Sequence, residues 1–175
     1  MNFFDSPGQA RRFVRDLAIA LSVPLLVVVF LAQPFQVEGR SMRPILEDGE
    51  RIIVEKVTPR LGAYHRGDIV VFHSPADLRR LLVKRIVGLP GESIVLHEGR
   101  VQTDGRPLQE NYLSPETAFE GEFGPTTLGP GEYYVLGDNR SDSEDSRIWG
   151  PVSARLIVGR AIVSYWPPAL AGSLR

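Results

Sequence analysis

Two side chains far apart in the chain could together make an activated nucleophile. Ser41 lies in Gly39-Arg40-Ser41-Met42-Arg43-Pro44, and Lys84 lies in the apolar run Leu81-Leu82-Val83-Lys84-Arg85-Ile86-Val87. A serine hydroxyl becomes a nucleophile when a neighbouring base takes its proton, and a neutral lysine amine can be that base without any histidine. Lys84 is one of two lysines, the other being Lys56, among 20 Lys and Arg residues. The chain thus accepts arginine wherever a permanent charge will do. Arginine cannot give up its proton, whereas lysine loses it readily once desolvated. If Leu81 to Val87 is a strand, Leu82, Lys84 and Ile86 share one face and Arg85 projects from the other. Lowering the lysine pKa from about 10.4 to about 8 needs roughly 3 kcal/mol of differential solvation, which an apolar site can supply.

The elements that must position this pair begin with an uncharged apolar stretch from Leu17 to Ala32, which Phe35 extends past Gln33 and Pro34. Sixteen helical residues rise about 24 Å, and the flanks can snorkel the rest of the way across a bilayer core. The expectation is a transmembrane anchor over residues 17–35, kinked at Pro24, after a cytoplasmic segment of residues 1–16. A cleavable leader with Arg11, Arg12 and Arg15 as its basic region is the competing reading. The end of the run has no small-x-small site, since cutting after Ala32 would put Phe30 three residues before the cut. The arginines before the helix place the N-terminus in the cytoplasm and the rest outside.

Residues 36–175 then read as a β-rich catalytic domain, a barrel or sandwich-like body. Apolar runs at Arg51 to Val57, Asp68 to His73, Leu81 to Val87, Ser93 to Leu96, Tyr133 to Leu136 and Leu156 to Tyr165 alternate with turns such as Leu89-Pro90-Gly91 and Gly129-Pro130-Gly131. An excursion is expected around residues 98–130, with Asn111 to Thr127 lacking periodicity. A net charge of -1 with no long basic run argues against a nucleic-acid partner. Absence of cysteine excludes disulfides, thiol nucleophiles and cysteine-ligated metals. His65, His73 and His97 show no ligand spacing. The acidic run Asp138 to Asp145 departs from a calcium loop, having Ser143 where the sixth-position glycine belongs. No metal or cofactor is expected.

Four boxes then stand in order after the apolar segment. They are Ser41-Met42-Arg43-Pro44, Gly67-Asp68-Ile69-Val70-Val71-Phe72, Lys84-Arg85-Ile86-Val87-Gly88-Leu89-Pro90-Gly91, and Gly137-Asp138-Asn139-Arg140 through Ser143 and Asp145-Ser146-Arg147. In this order the chain resembles the bacterial type I signal peptidases from about residue 11 to about residue 150. The resemblance implies a membrane-anchored Ser-Lys protease of the cytoplasmic membrane, close to the export channel, that cuts signal peptides from preproteins at Ala-x-Ala sites through an acyl-enzyme. It implies Ser41 as nucleophile, Lys84 as general base, and Ser143 as the hydroxyl that orients the amine. Asp145 with Arg147 and Arg85 would form the supporting ion pairs. The Ser41 N–H matches an oxyanion donor, while the position that carries a second donor in some members is Gly39 here. Phe35 to Gly39, Met42 and Leu82 are the candidate walls for an extended substrate strand.

Two rivals predict other features. A self-cleaving repressor-type protease would have an N-terminal helix-turn-helix and an Ala-Gly cleavage site before the serine, but the Ala-Gly here is Ala171-Gly172. A tethered binding module without turnover would not need Ser41, Lys84 and Ser143 together.

Overall fold

The computed structural model describes residues 7–57, 64–114 and 121–174. A 24-residue helix, α1 (Pro7–Phe30), leads directly into strand β1 (Ala32–Gln36). The strands that follow are β2 (Arg51–Glu55), β3 (Ile69–His73), β4 (Leu81–Gly88), β5 (Ser93–His97), β6 (Arg100–Thr103) and β7 (Arg106–Pro107). Next come β8 (Phe123–Thr127), β9 (Glu132–Leu136), the short helix α2 (Ser146–Trp149), β10 (Val152–Ser153), β11 (Ile157–Trp166) and β12 (Gly172–Ser173). The larger sheet runs β1-β2-β11-β3-β4-β9-β10, with β12 on β11, and the smaller runs β7-β6-β5-β8. The strand pairs among the described residues are antiparallel.

The fold is mainly β, as expected, and strands β5 to β8 form the smaller sheet. The helix departs from the expected extent. It starts at Pro7, stops at Phe30, and leaves Phe35 in β1, because Ala32 to Gln36 pair with Glu55 to Arg51 residue by residue. Among the described residues no helix is long and apolar enough to cross a membrane. The first half of α1 carries Arg11, Arg12, Arg15 and Asp16, and beyond them Leu17, Leu21 and Leu25 are exposed.

Alternation along the strands sorts the apolar side chains onto opposite sheet faces. Val70, Phe72, Ile86 and Val135 pack in one cluster, with Leu82 against it, while Ile69, Val71 and Val83 pack in another beneath the Ser41 loop with Val37, Met42 and Leu46. A third, of Val87, Ile94, Leu96, Val101 and Leu136, joins the two sheets. Full burial of such side chains is worth about 1.5–3 kcal/mol apiece, enough to hold β4 in place even with two charged residues in it.

Candidate active site

Ser41 sits in a turn whose ends are tied on both sides. Upstream, the Val37 N–H donates to the Glu50 carbonyl and the Gly49 N–H to the Val37 carbonyl, so residues 37 and 49–50 pair like a short ladder. Gly39 takes a positive φ of 86°, a conformation that costs glycine little, and its N–H donates to the Asp48 carboxylate at 2.7 Å. Downstream, Arg43 N–H bonds the Arg40 carbonyl and Leu46 N–H the Met42 carbonyl. Across the fold, Asn139 N–H donates to the Ser41 carbonyl at 3.0 Å, and the Asn139 side chain donates to the Arg40 carbonyl at 3.2 Å. The serine loop is thereby docked on the 137–141 corner.

Strand β4 brings Lys84 to it. Lys84 stands opposite Val70 on β3, and Leu82 opposite Phe72, so Leu82, Lys84 and Ile86 share a face as read from the sequence. The Lys84 Nζ donates to Ser41 Oγ at 2.6 Å, joining residues 43 positions apart. Lys84 is 3% exposed. Desolvation lowers its pKa from 10.5 to about 8, against the opposing pull of the carboxylates of Asp145, Glu144 and Asp138.

The neighbouring strand makes room for Ser143 and the serine loop. Register places Gly137, just past β9, level with Lys84, since Arg85 pairs with Leu136. A Cβ on Gly137 would lie 2.3 Å from Ser143 Oγ and 2.4 Å from the Ser41 carbonyl oxygen. Gly137→Ala is therefore expected to push the catalytic corner apart, costing about 1–3 kcal/mol in stability, by analogy with overpacked cores. Thermal unfolding of the variant checks this, and an unchanged midpoint would mean that the corner has slack. Ser143 is brought into the site, where its Oγ is buried with no hydrogen-bond partner, and it makes no bond to the lysine amine.

Asp145 is fully buried and acts on two levels. Its carboxylate caps α2, accepts the Gly137 N–H at 3.0 Å, and binds the Arg147 guanidinium at 2.7 and 2.8 Å. Ser146 Oγ accepts the Val135 N–H at 3.0 Å, so this segment covers the outer edge of β9. The expected network is corrected in one respect. Arg85 pairs with Asp138, at 2.9 and 2.6 Å, and not with Asp145. On β4 it faces away from Lys84, and the side of β9 that it can reach is that of Leu136 and Asp138.

A cleft of about 560 Å³ opens over the pair, walled by Phe35 on one side and Leu82 and Val83 on the other, with Arg79 and Arg80 and with Asp142 and Glu144 also lining it. Phe35 and Leu82, two of the expected substrate walls, line this cleft. Met42 does not, being fully buried in the core beneath the serine loop because the turn after Ser41 folds it inward. The oxyanion expectation divides in the same way. The Gly39 N–H is held by Asp48, while no hydrogen bond engages the Ser41 N–H among the described residues. Sequence reading missed Asp48, Asp138, Glu110, Tyr112 and Arg140. Asp138 and Arg140 lay within a quoted box, but nothing in the spacing told which acid meets which arginine.

The sequence matches the family described as signal peptidase, peptidase S26, over residues 10–166. It is 36% identical to a signal peptidase I of Leptolyngbya laminosa over 92% of this chain and 82% of that one. It is 35% identical to a signal peptidase I of Bacillus licheniformis over 89% of this chain and 88% of that one. A crystal structure of a signal peptidase I from Enterococcus faecalis V583 is similar at 31% identity and a TM-score of 0.49, covering 56% of this chain and 96% of that one. The chain belongs to the signal peptidase family, peptidase S26, and is a serine endopeptidase.

Proposed function

We propose that this chain is a membrane-anchored endopeptidase that removes signal peptides from exported preproteins after Ala-x-Ala sites, with Ser41 as nucleophile and Lys84 as general base. The observation that carries the reading is the 2.6 Å contact between Lys84 Nζ and Ser41 Oγ inside a desolvated cleft. Helix α1, with exposed apolar side chains in its second half, is the anchor. It holds the catalytic body on the outer face of the cytoplasmic membrane, beside the lipid bilayer and the export channel.

In the reactive state the neutral amine accepts the Ser41 hydroxyl proton as Oγ attacks the scissile carbonyl carbon. The oxyanion that forms is met by the Ser41 N–H. As the intermediate collapses, the C–N bond breaks and the Lys84 ammonium protonates the leaving amine, which departs as the mature N-terminus. The neutral lysine then takes a proton from water, the hydroxide attacks the acyl-enzyme ester, and Ser41 leaves with that proton restored. Ser143, with its unpartnered hydroxyl beside the serine loop, is the group to orient the amine during these transfers. Asp145, Arg147 and Arg85 hold the corner. An extended substrate lies between Phe35 and Leu82, where small residues fit and large ones clash.

The test is cleavage of a purified preprotein carrying an Ala-x-Ala site, with the cut mapped by N-terminal sequencing. A product beginning immediately after the second alanine is expected, and a cut elsewhere or none overturns the assignment. The lysine adds a pH signature. Only the neutral amine is a base, so kcat/KM should fall about tenfold for each pH unit below about 8 and level off above it. A profile whose acid limb lies below pH 6 would point to a carboxylate or histidine instead.

A further inference from the structure

The segment after β7 has no periodic pattern in sequence, yet two of its side chains reach the catalytic corner. The Tyr112 ring lies under the Arg85 guanidinium, 4.0 Å from its carbon to the ring centroid. The Tyr112 hydroxyl donates to Glu110 Oε1 at 2.6 Å. Glu110 in turn pairs with the Arg140 guanidinium, Arg140 Nη1 meeting Oε2 at 3.2 Å and Nη2 meeting Oε1 more closely. Arg140 Nε donates to the Gly137 carbonyl at 3.0 Å. The chain of contacts therefore runs from the smaller sheet's trailing segment to Gly137, the residue packed against both Ser143 and the Ser41 carbonyl.

Both guanidinium groups are out of water. The Arg140 side chain is 2% exposed and that of Glu110 7%. A charge held so deeply stays in place while its partner does, and removing the partner leaves it uncompensated. Burial and the Glu110 carboxylate both push the Tyr112 phenol above its ordinary pKa, so it remains a donor to Glu110. Arg85, the other end of the clamp, is fixed by Asp138 and by the Gly67 carbonyl at 2.8 Å. The stretch from Gly137 to Arg140 is thus gripped by two arginines, and Glu110 and Tyr112 grip the arginines.

We propose that Glu110, acting with Tyr112, is a positioning residue for this site: it holds the corner from Gly137 to Ser143 in register with Lys84 and Ser41. The inference rests on the Ser41–Lys84 reading above. Neither side chain lines the cleft, so neither touches substrate. Their effect falls on the alignment of the dyad and leaves the substrate walls Phe35, Leu82 and Val83 as they are. That separates positioning from a merely structural ion pair, which would change how many molecules fold without changing what each folded molecule does.

The experiment uses the full chain in detergent micelles with a preprotein substrate, for wild type, Ser41→Ala, Glu110→Gln and Tyr112→Phe. Functional sites are counted by the burst of a serine-directed acylating reagent. Glu110→Gln keeps the size of the side chain and removes its charge. Its kcat per titrated site should fall about 10- to 100-fold, the loss that a misplacement of around 1 Å brings, with KM within about twofold of wild type. Tyr112→Phe keeps the ring on Arg85 and both ion pairs, and should lower per-site kcat severalfold with KM again unchanged. It decides the matter if Glu110→Gln yields no folded protein. Unchanged per-site kcat in Tyr112→Phe and in any folded Glu110→Gln, or a rise in KM at constant kcat, overturns the proposal. If wild type and Ser41→Ala are equally inert, the protease reading itself falls; if wild type cleaves and the other variants match it per site, this inference alone falls.

Discussion

Ser41→Ala is expected to abolish preprotein cleavage, with kcat lower by about a millionfold, the scale seen when a serine protease loses its nucleophile. The fold should survive. The Ser41 hydroxyl makes one hydrogen bond, to Lys84, while the loop is held by backbone bonds through Val37, Gly49, Asn139 and Arg43 that the substitution leaves alone. Loss of that bond leaves the buried Lys84 amine one hydrogen bond short, which costs about 1–3 kcal/mol. Circular dichroism should therefore match wild type, with a modest drop in thermal stability, while the cleavage assay reads background. A variant that retains more than a hundredth of wild-type activity would move the nucleophile elsewhere.

Lys84→Arg is the second large effect, a loss of about 10⁴-fold. The guanidinium keeps the positive charge and the hydrogen-bonding reach, so charge alone cannot rescue activity. What it lacks is a neutral state at any working pH. It is also wider than an ammonium, and the side chain it replaces is 3% exposed. Lys84→Met carries a complementary stability prediction. A lysine whose pKa falls from 10.5 to about 8 on folding bears about 3 kcal/mol against its charged form, present in full well below pH 8. The unfolded chain holds that proton up to pH 10.5, so wild-type stability rises with pH between about 8 and 10.5. Lys84→Met removes the penalty and loses one hydrogen bond, so at pH 7 it should be more stable by about 2 kcal/mol. Above pH 10.5 the advantage should vanish. Urea unfolding at pH 7 and pH 11 measures this, and equal stability of the two proteins at pH 7 would mean that the lysine is not desolvated.

The contact between Ser41 and Lys84 was legible because one of the two carried a chemical oddity. Lys84 was a lysine in an apolar strand of a chain that prefers arginine, and alternation alone put it on the face of Leu82 and Ile86. The long strands were legible too, since their β-branched runs are bounded by glycine and proline turns. Strand β1 was hidden because Ala32 to Gln36 continues the apolar run of the helix without a break, and pairing with β2 is a tertiary fact. Strand β8 was hidden for a different reason. Gly124 and Pro125 sit inside it, and its pairing with β5 supplies what its own propensity does not. The partner of Arg85 turned on which face of β9 carries Asp138, and that depends on a register no spacing reveals. Glu110 and Tyr112 were invisible in the same way, as ordinary residues in a segment with no pattern. Residues 115–120, within the stretch read as an excursion, lie outside the described residues.

Among the described residues strand β9 has a neighbour at its start, β10, and none along the rest of its outer side, which would ordinarily be a template for any extended peptide. Here the Val135 N–H is already taken by the Ser146 hydroxyl and the Gly137 N–H by the Asp145 carboxylate. For an enzyme proposed to capture unfolded, strand-forming segments at high turnover, that blocked margin is a safeguard against its own substrates. A peptide cannot zip onto the body beside the catalytic corner and linger there, and neither can a second copy of the chain. Removing Asp145 would therefore do more than loosen the lysine's surroundings, because it would free a backbone N–H on this margin for pairing with an extended peptide.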